Sequence, residues 1–147
     1  MRALLDTSVL IGEDAPGDVE AAISVASITE LHFGVLVAKD DDERGRRADR
    51  LAAVESTFDP LPITVEVARA WGRLAAAVTY RGGKPRRRQI DLAIAATALT
   101  EGVPLLTHNL ADFDIIKDLL DVRRPCLPAQ QLAATPDSEH VEPLRGR

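Results

Sequence analysis

Cysteine is almost absent from the chain: Cys126 stands alone among 147 residues. No intramolecular disulfide can form, and no CxxC or Cys/His spacing points to zinc, so a reducing cytosol is the compartment that fits. Aromatic residues are scarce too, at 3%, which argues against base stacking on aromatic platforms as a binding mode. The core is left to Ala, Leu, Ile and Val, with Trp71, Phe33, Phe58 and Phe113 as its few large pieces. Long apolar runs are missing as well. The apolar stretch within Met1 to Gly12 is too short for a signal peptide and is broken by Asp6, and nowhere do about 18 consecutive apolar residues occur. A soluble, cytoplasmic protein with no membrane partner is expected. Finally, the chain lacks a net positive charge: its formal charge of -5 argues against nonspecific coating of nucleic acid, which needs a positive surface.

What is present is one domain's worth of apolar residue, 46% of the chain, and a segregated charge pattern. Asp40 to Glu43 is a run of acids. Arg81, Lys84, Arg86, Arg87 and Arg88 form a basic loop with no acid among them, and Arg, which dominates the cations, is the side chain better shaped for bidentate phosphate contact. Each run also has a plain reading as a solvated helix end or loop.

Short apolar runs at Ala3–Leu5, Ala22–Ala26, Leu61–Val65, Pro104–Leu106 and near Val122–Leu127 read as strands. Between them, helical spacing predicts helices from Ser27 to about Ala38, from Asp41 to Phe58, from Val65 to Tyr80 and from Ile90 to Leu99. Ser27 with Glu30 matches the S-x-x-E capping box. The helix at Ile90–Leu99 is apolar nearly all round, the profile of a helix buried between layers. Alternating strands and helices predict an α/β fold with a parallel sheet of about five strands covered on both faces. In such sheets ligands bind at the carboxyl ends of the strands.

Asp6, Glu30, Asp91 and Asp112 all fall near that end. Singly each has a structural explanation, as a cap, a capping-box partner or a helix-dipole complement. Together they would repel, by roughly 3 kcal/mol per pair about 5 Å apart at an effective dielectric of ~20, unless a cation sits among them. Asp91 is the sharpest case, because a lone carboxylate on an apolar helix pays desolvation unless it is paired, with Arg87 or Arg88 one turn earlier, or metal-bound. An all-oxygen set favours Mg²⁺ or Mn²⁺ over zinc. Thr7, Ser8, Thr107 and Asn109 are placed to orient the acids or hold waters, while Lys84, Arg86, Arg87 and Arg88 are candidates for binding nucleic acid. Gly83-Lys84 is not a Walker A loop, since Pro85 stands where Ser or Thr is required, and His32, His108 and His140 have no metal-ligand spacing. His108 and Asp114 read as surface residues, although His108 could touch substrate and Asp114 could assist a metal.

The segments Leu4-Leu5-Asp6-Thr7-Ser8-Val9-Leu10-Ile11, Ser27-Ile28-Thr29-Glu30-Leu31, Asp91-Leu92-Ala93-Ile94-Ala95-Ala96-Thr97-Ala98 and Thr107-His108-Asn109-Leu110-Ala111-Asp112-Phe113 occur in that order. In this the chain resembles the PIN-domain family, most closely the VapC-type toxins of bacterial type II toxin-antitoxin systems. The resemblance spans residues 1–132 and leaves 133–147 as a polar tail. It implies a three-layer α/β/α sandwich whose acidic quartet, here Asp6, Glu30, Asp91 and Asp112, binds one or two Mg²⁺ or Mn²⁺ ions and cleaves RNA by a metal-activated water, leaving a 5′-phosphate and a 3′-hydroxyl. It also implies a homodimer and a cognate antitoxin that blocks the groove. The short interval from Asp6 to Glu30 implies a truncated first helix. Two other readings compete: a catalytically inactive PIN-like module that binds RNA or protein, and a phosphohydrolase or receiver-type domain with Asp6 as phosphoryl acceptor. All four acids of the quartet are present, which disfavours the first, and no second acid lies close after Asp6, which disfavours the second.

Overall fold

Strand β1, Arg2–Leu5, is the spine of the molecule. Its last three residues are all buried, and because successive side chains of a strand point to opposite faces, it feeds two cores at once. Leu4 joins a cluster with Val67, Leu74, Val78, Ile94 and Phe113. Ala3 and Leu5 join another with Leu31, Leu51 and Val54. The result is a three-layer α/β/α arrangement, described for residues 1–12 and 16–125 in a computed structural model of the chain.

The sheet has four strands, all parallel, in the order β2-β1-β3-β4, with β2 at Glu20–Ala22, β3 at Leu105–Leu106 and β4 at Val122–Arg123. Leu4 pairs with Leu105 and Leu5 with Leu106; the alternation repeats on β3, whose Leu105 faces the first core and Leu106 the second. Among the described residues five α-helices connect and cover the strands: α1 at Thr7–Leu10, α2 at Val25–Leu36, α3 at Asp41–Thr57, α4 at Val65–Tyr80 and α5 at Gln89–Glu101. The first helix is a single turn, as the short interval after Asp6 implied. The acidic run beginning at Asp40 has a local task, since the Asp40 carboxylate accepts from the Glu43 amide and caps α3, whose first turn is acidic. In α5, Leu92 to Ala98 are buried without a break, and Gly102, at φ 66°, closes the helix in the left-handed region.

Five expectations need correction. The second strand ends at Ala22 rather than reaching Ala26, because Ser24 turns the chain: its Oγ accepts from the Ala26 amide and it caps α2. The capping box at Ser27 and Glu30 is therefore not formed, and both side chains are free for other work. The strand expected at Leu61–Val65 is reduced to one parallel bridge between Leu61 and Ser24; Pro60 and Pro62 lack the amide donors that a ladder needs, and Thr64 already caps α4. Among the described residues the sheet thus counts four strands where about five were expected. Phe33 is not a core residue but 63% exposed, because it lies two residues from the inward-facing Leu31, roughly 200° round the helix. The expected extension of the last strand to Leu127, Cys126 and the polar tail all lie outside the described residues.

Candidate metal centre

Asp6 is the residue at which β1 runs out, and it is almost fully buried. Its backbone still belongs to the sheet, with the amide donating to Leu106 O at 2.9 Å, while the next residue opens α1. Two hydroxyls hold its side chain. Ser8 Oγ and Thr107 Oγ1 each donate to Oδ2 at 2.8 Å, and these hydroxyls are in turn fixed by the amides of His108, at 3.0 Å to Ser8 Oγ, and Asn109, at 3.0 Å to Thr107 Oγ1. A buried carboxylate thus obtains its donors from the turns after β1 and β3, and both bonds fall on one oxygen, leaving the other for a ligand.

Glu30 comes from the second turn of α2 and is half-buried. Thr7 Oγ1 donates to its Oε1 at 2.8 Å and lies 3.0 Å from Ser27 Oγ, which is fully buried. Asp91, in the first turn of α5, lies with its Oδ2 3.5 Å from Arg88 Nη1. One carboxylate oxygen each from Asp6, Glu30 and Asp91 lie within 4.8 Å of one another. Burial pushes the Glu30 carboxyl above its ordinary range, the Thr7 hydrogen bond partly offsets this, and the charges of Asp6 and Asp91 push it further. Burial likewise raises Asp91, followed by the charges of Asp6 and Asp112, against the lowering pull of Arg88. Three oxygens gathered this tightly, two of them on acids that resist ionisation, form a cluster that a cation would stabilise.

Asp112 does not join that triad. It sits in a 3₁₀ segment, Leu110–Ile116, and its Oδ1 accepts from Arg88 Nη1 at 2.6 Å. Arg88 is expected from sequence both as a structural partner for Asp91 and as a nucleic-acid contact; the structure places it on Asp91 and Asp112, and hydrogen bonding to Asp112 is the main reason its guanidinium holds its proton more tightly than usual. Lys84, Arg87 and Arg88 line a cavity of about 330 Å³ together with Asp112 and the exposed Asp114. Arg86 is exposed outside it. Of the four residues expected to orient the acids, Thr7, Ser8 and Thr107 do so through their hydroxyls, whereas Asn109 contributes its backbone amide to Thr107.

Two groups were missed. Ser27 was read as a cap and is instead a buried partner of Thr7. Arg47 and Arg50, on α3, line a second cavity of about 230 Å³ that includes Glu30 and Thr7. A charged helix reveals its inner stripe in sequence, but not which of its cations stands beside a distant acid.

The family model described as PIN domain matches residues 3–119. Among curated proteins the chain is 36% identical to ribonuclease VapC4 of Mycobacterium tuberculosis, over 74% of this chain and 86% of the relative. It is 39% identical to ribonuclease VapC8 of the same organism, over 65% and 88%. Among solved structures it resembles VapBC-5 of M. tuberculosis, a member of the VapBC family of toxin-antitoxin systems, with a TM-score of 0.72 and 32% identity over 84% of this chain and 96% of that one. The fold is shared with VapBC2 of Rickettsia felis at a TM-score of 0.69, 20% identity and coverage of 84% and 98%.

Proposed function

The chain belongs to the PIN-domain family and is an endoribonuclease toxin of the VapC type, and from that premise we propose that Asp6, Glu30 and Asp91 hold a Mg²⁺ or Mn²⁺ ion at which RNA is cleaved, with Asp112 completing the site. The observation that carries this reading is the meeting of three carboxylate oxygens within 4.8 Å at the carboxyl end of the sheet. The donors are all hard oxygens, and no imidazole or thiolate is among them, which suits Mg²⁺ or Mn²⁺ rather than zinc. A divalent ion bound there would lower the pKa of a water and polarise the phosphoryl oxygen.

The chain's own residues do the rest. Asp6 is the rigid member, fixed by Ser8 and Thr107. Glu30 is aimed by Thr7, with Ser27 behind it. Asp91, carried on the helix buried between layers, supplies the third oxygen. Lys84 and Arg87 are available to bind the RNA backbone in the adjoining cavity. Among the described residues no helix is long and apolar enough to cross a membrane. A cognate antitoxin is the protein partner, and a homodimer in the cytosol is the state we propose.

Cleavage of a panel of structured RNAs with Mg²⁺ or Mn²⁺ tests the reading. Products with 5′-phosphate ends, abolished by chelator and by Asp6→Asn, are expected. Cleavage that survives both would place the chemistry elsewhere.

A further inference from the structure

Arg88 is the charged group that the reading above leaves without a task. It closes the 3₁₀ turn Pro85–Arg88 and immediately precedes α5, so its position is set by the same helix that carries Asp91. One nitrogen of its guanidinium touches two acids, Asp112 at 2.6 Å and Asp91 at 3.5 Å. Its basic neighbours behave differently: among the described residues neither Lys84 nor Arg87 lies within salt-bridge distance of an acid.

We propose that Arg88 is a built-in counter-ion that competes with the divalent cation for Asp91 and Asp112. The proposal rests on the metal-centre reading given above. The guanidinium takes up charge from two of the four acids, and Asp112, its nearer partner, lies outside the triad of Asp6, Glu30 and Asp91. An ion bound by that triad would share Asp91 with Arg88, so a double and a single positive charge would face one carboxylate, on the order of 6 Å apart. At a water-like dielectric, appropriate because the Arg88 side chain is 44% exposed, that repulsion is ~1.4 kcal/mol, or about tenfold in affinity. Arg88 would therefore set the metal concentration at which the centre fills. It would also keep Asp112 committed until an ion arrives to compete for it.

The test is calorimetric titration of Mn²⁺ into the intact protein without RNA, so that no turnover is read. Arg88→Ala and Arg88→Gln should each bind Mn²⁺ about tenfold more tightly than the parent, and the metal-free form of each should melt at a lower temperature. Arg88→Lys, which keeps the charge, should stay within about threefold of the parent, and Arg86→Ala, in the same loop but exposed outside the cavity, should not differ from it. Parent-like or weaker Mn²⁺ binding in both neutral variants, with the parent itself binding, overturns the role of Arg88 and leaves the metal centre standing. Absence of Mn²⁺ binding in parent and variants alike overturns the metal centre, and the counter-ion role with it. The glutamine variant guards against a folding defect caused by truncating the side chain.

Discussion

Asp91→Asn should raise the stability of the metal-free protein and lower that of the metal-loaded one, so that the two melting curves change order when Mg²⁺ is added. The substitution keeps the shape of the side chain and removes one charge from the triad. At the 4.8 Å limit within which the three oxygens lie and an effective dielectric of ~20, a pair of charges repels by about 3.5 kcal/mol. The net effect is smaller, because the Asp91 side chain is 25% exposed and its attraction to Arg88 is lost with the charge. A net gain of about 1–2 kcal/mol is expected, or roughly 2–8 °C in Tm for a domain of this size. Against it stands the metal: at a concentration of ~100 Kd a ligand stabilises the parent by about 2.7 kcal/mol, and the variant, with a neutral amide in place of one of three carboxylates, should gain less. The pH dependence has a definite sign. Asp91 and Glu30 have folded-state pKa values raised above their unfolded ones, so the repulsion is absent below the unfolded carboxyl range near pH 4 and grows as pH rises through the folded values. The advantage of Asp91→Asn should therefore vanish in acid and widen toward neutrality, while Mg²⁺ stabilises the parent more as pH rises. Scanning calorimetry with and without Mg²⁺ at several pH values measures all of this. A variant that melts below the parent in chelator at neutral pH would show that Asp91 is held by structural contacts, and the electrostatic argument would fall.

Two further substitutions examine the surroundings of the triad. Thr107→Val removes the hydroxyl that donates to Asp6 and accepts from the Asn109 amide, both at a fully buried position. Metal affinity by titration should fall 10- to 100-fold, with a stability loss of about 1–3 kcal/mol by denaturant unfolding; unchanged affinity would mean that Ser8 alone positions Asp6. Lys84→Ala combined with Arg87→Ala should weaken RNA binding and reduce the slope of log K against log salt by about 1.4, the share of two phosphate contacts on a single strand. Arg86→Ala, outside the cavity, should leave that slope close to the parent's, and an equal effect from it would move the RNA path to the outer face of the loop.

The residues that betrayed themselves in sequence were those whose pattern is local. The α4 helix was legible to its end residues because Val67, Leu74 and Val78 repeat at helical spacing and two glycines follow. Asp91 was legible because a charge in an unbroken apolar helix has few explanations. The elements misread were those decided by a single hydrogen bond or by competition between neighbours. Ser24 and Ser27 both stand before plausible helical residues, and only the bond from the Ala26 amide to Ser24 shows which one caps. Leu61 to Val65 has strand composition, but Pro60 before it, Pro62 within it and the cap at Thr64 leave room for one bridge. The four acids can be singled out in sequence, whereas their division into three gathered carboxylates and a fourth paired with Arg88 cannot. Which acid a cation chooses depends on distances between segments far apart in the chain, and the i, i+3 spacing of Arg88 and Asp91 made only one half of that bridge visible.

Strand β1 is four residues long, packed by alternate side chains into opposite layers, and followed immediately by the acid most firmly held in the site. Nothing flexible intervenes between the hydrophobic interior and Asp6, so the tolerance of the centre to misplacement is the tolerance of both cores. Slight repacking at Leu31 or Val54 on one side, or at Leu74 or Phe113 on the other, would reach Asp6 through the same few backbone bonds. Loss-of-function substitutions should therefore scatter through both hydrophobic layers as well as the acids, and many should spare the fold while disabling the site.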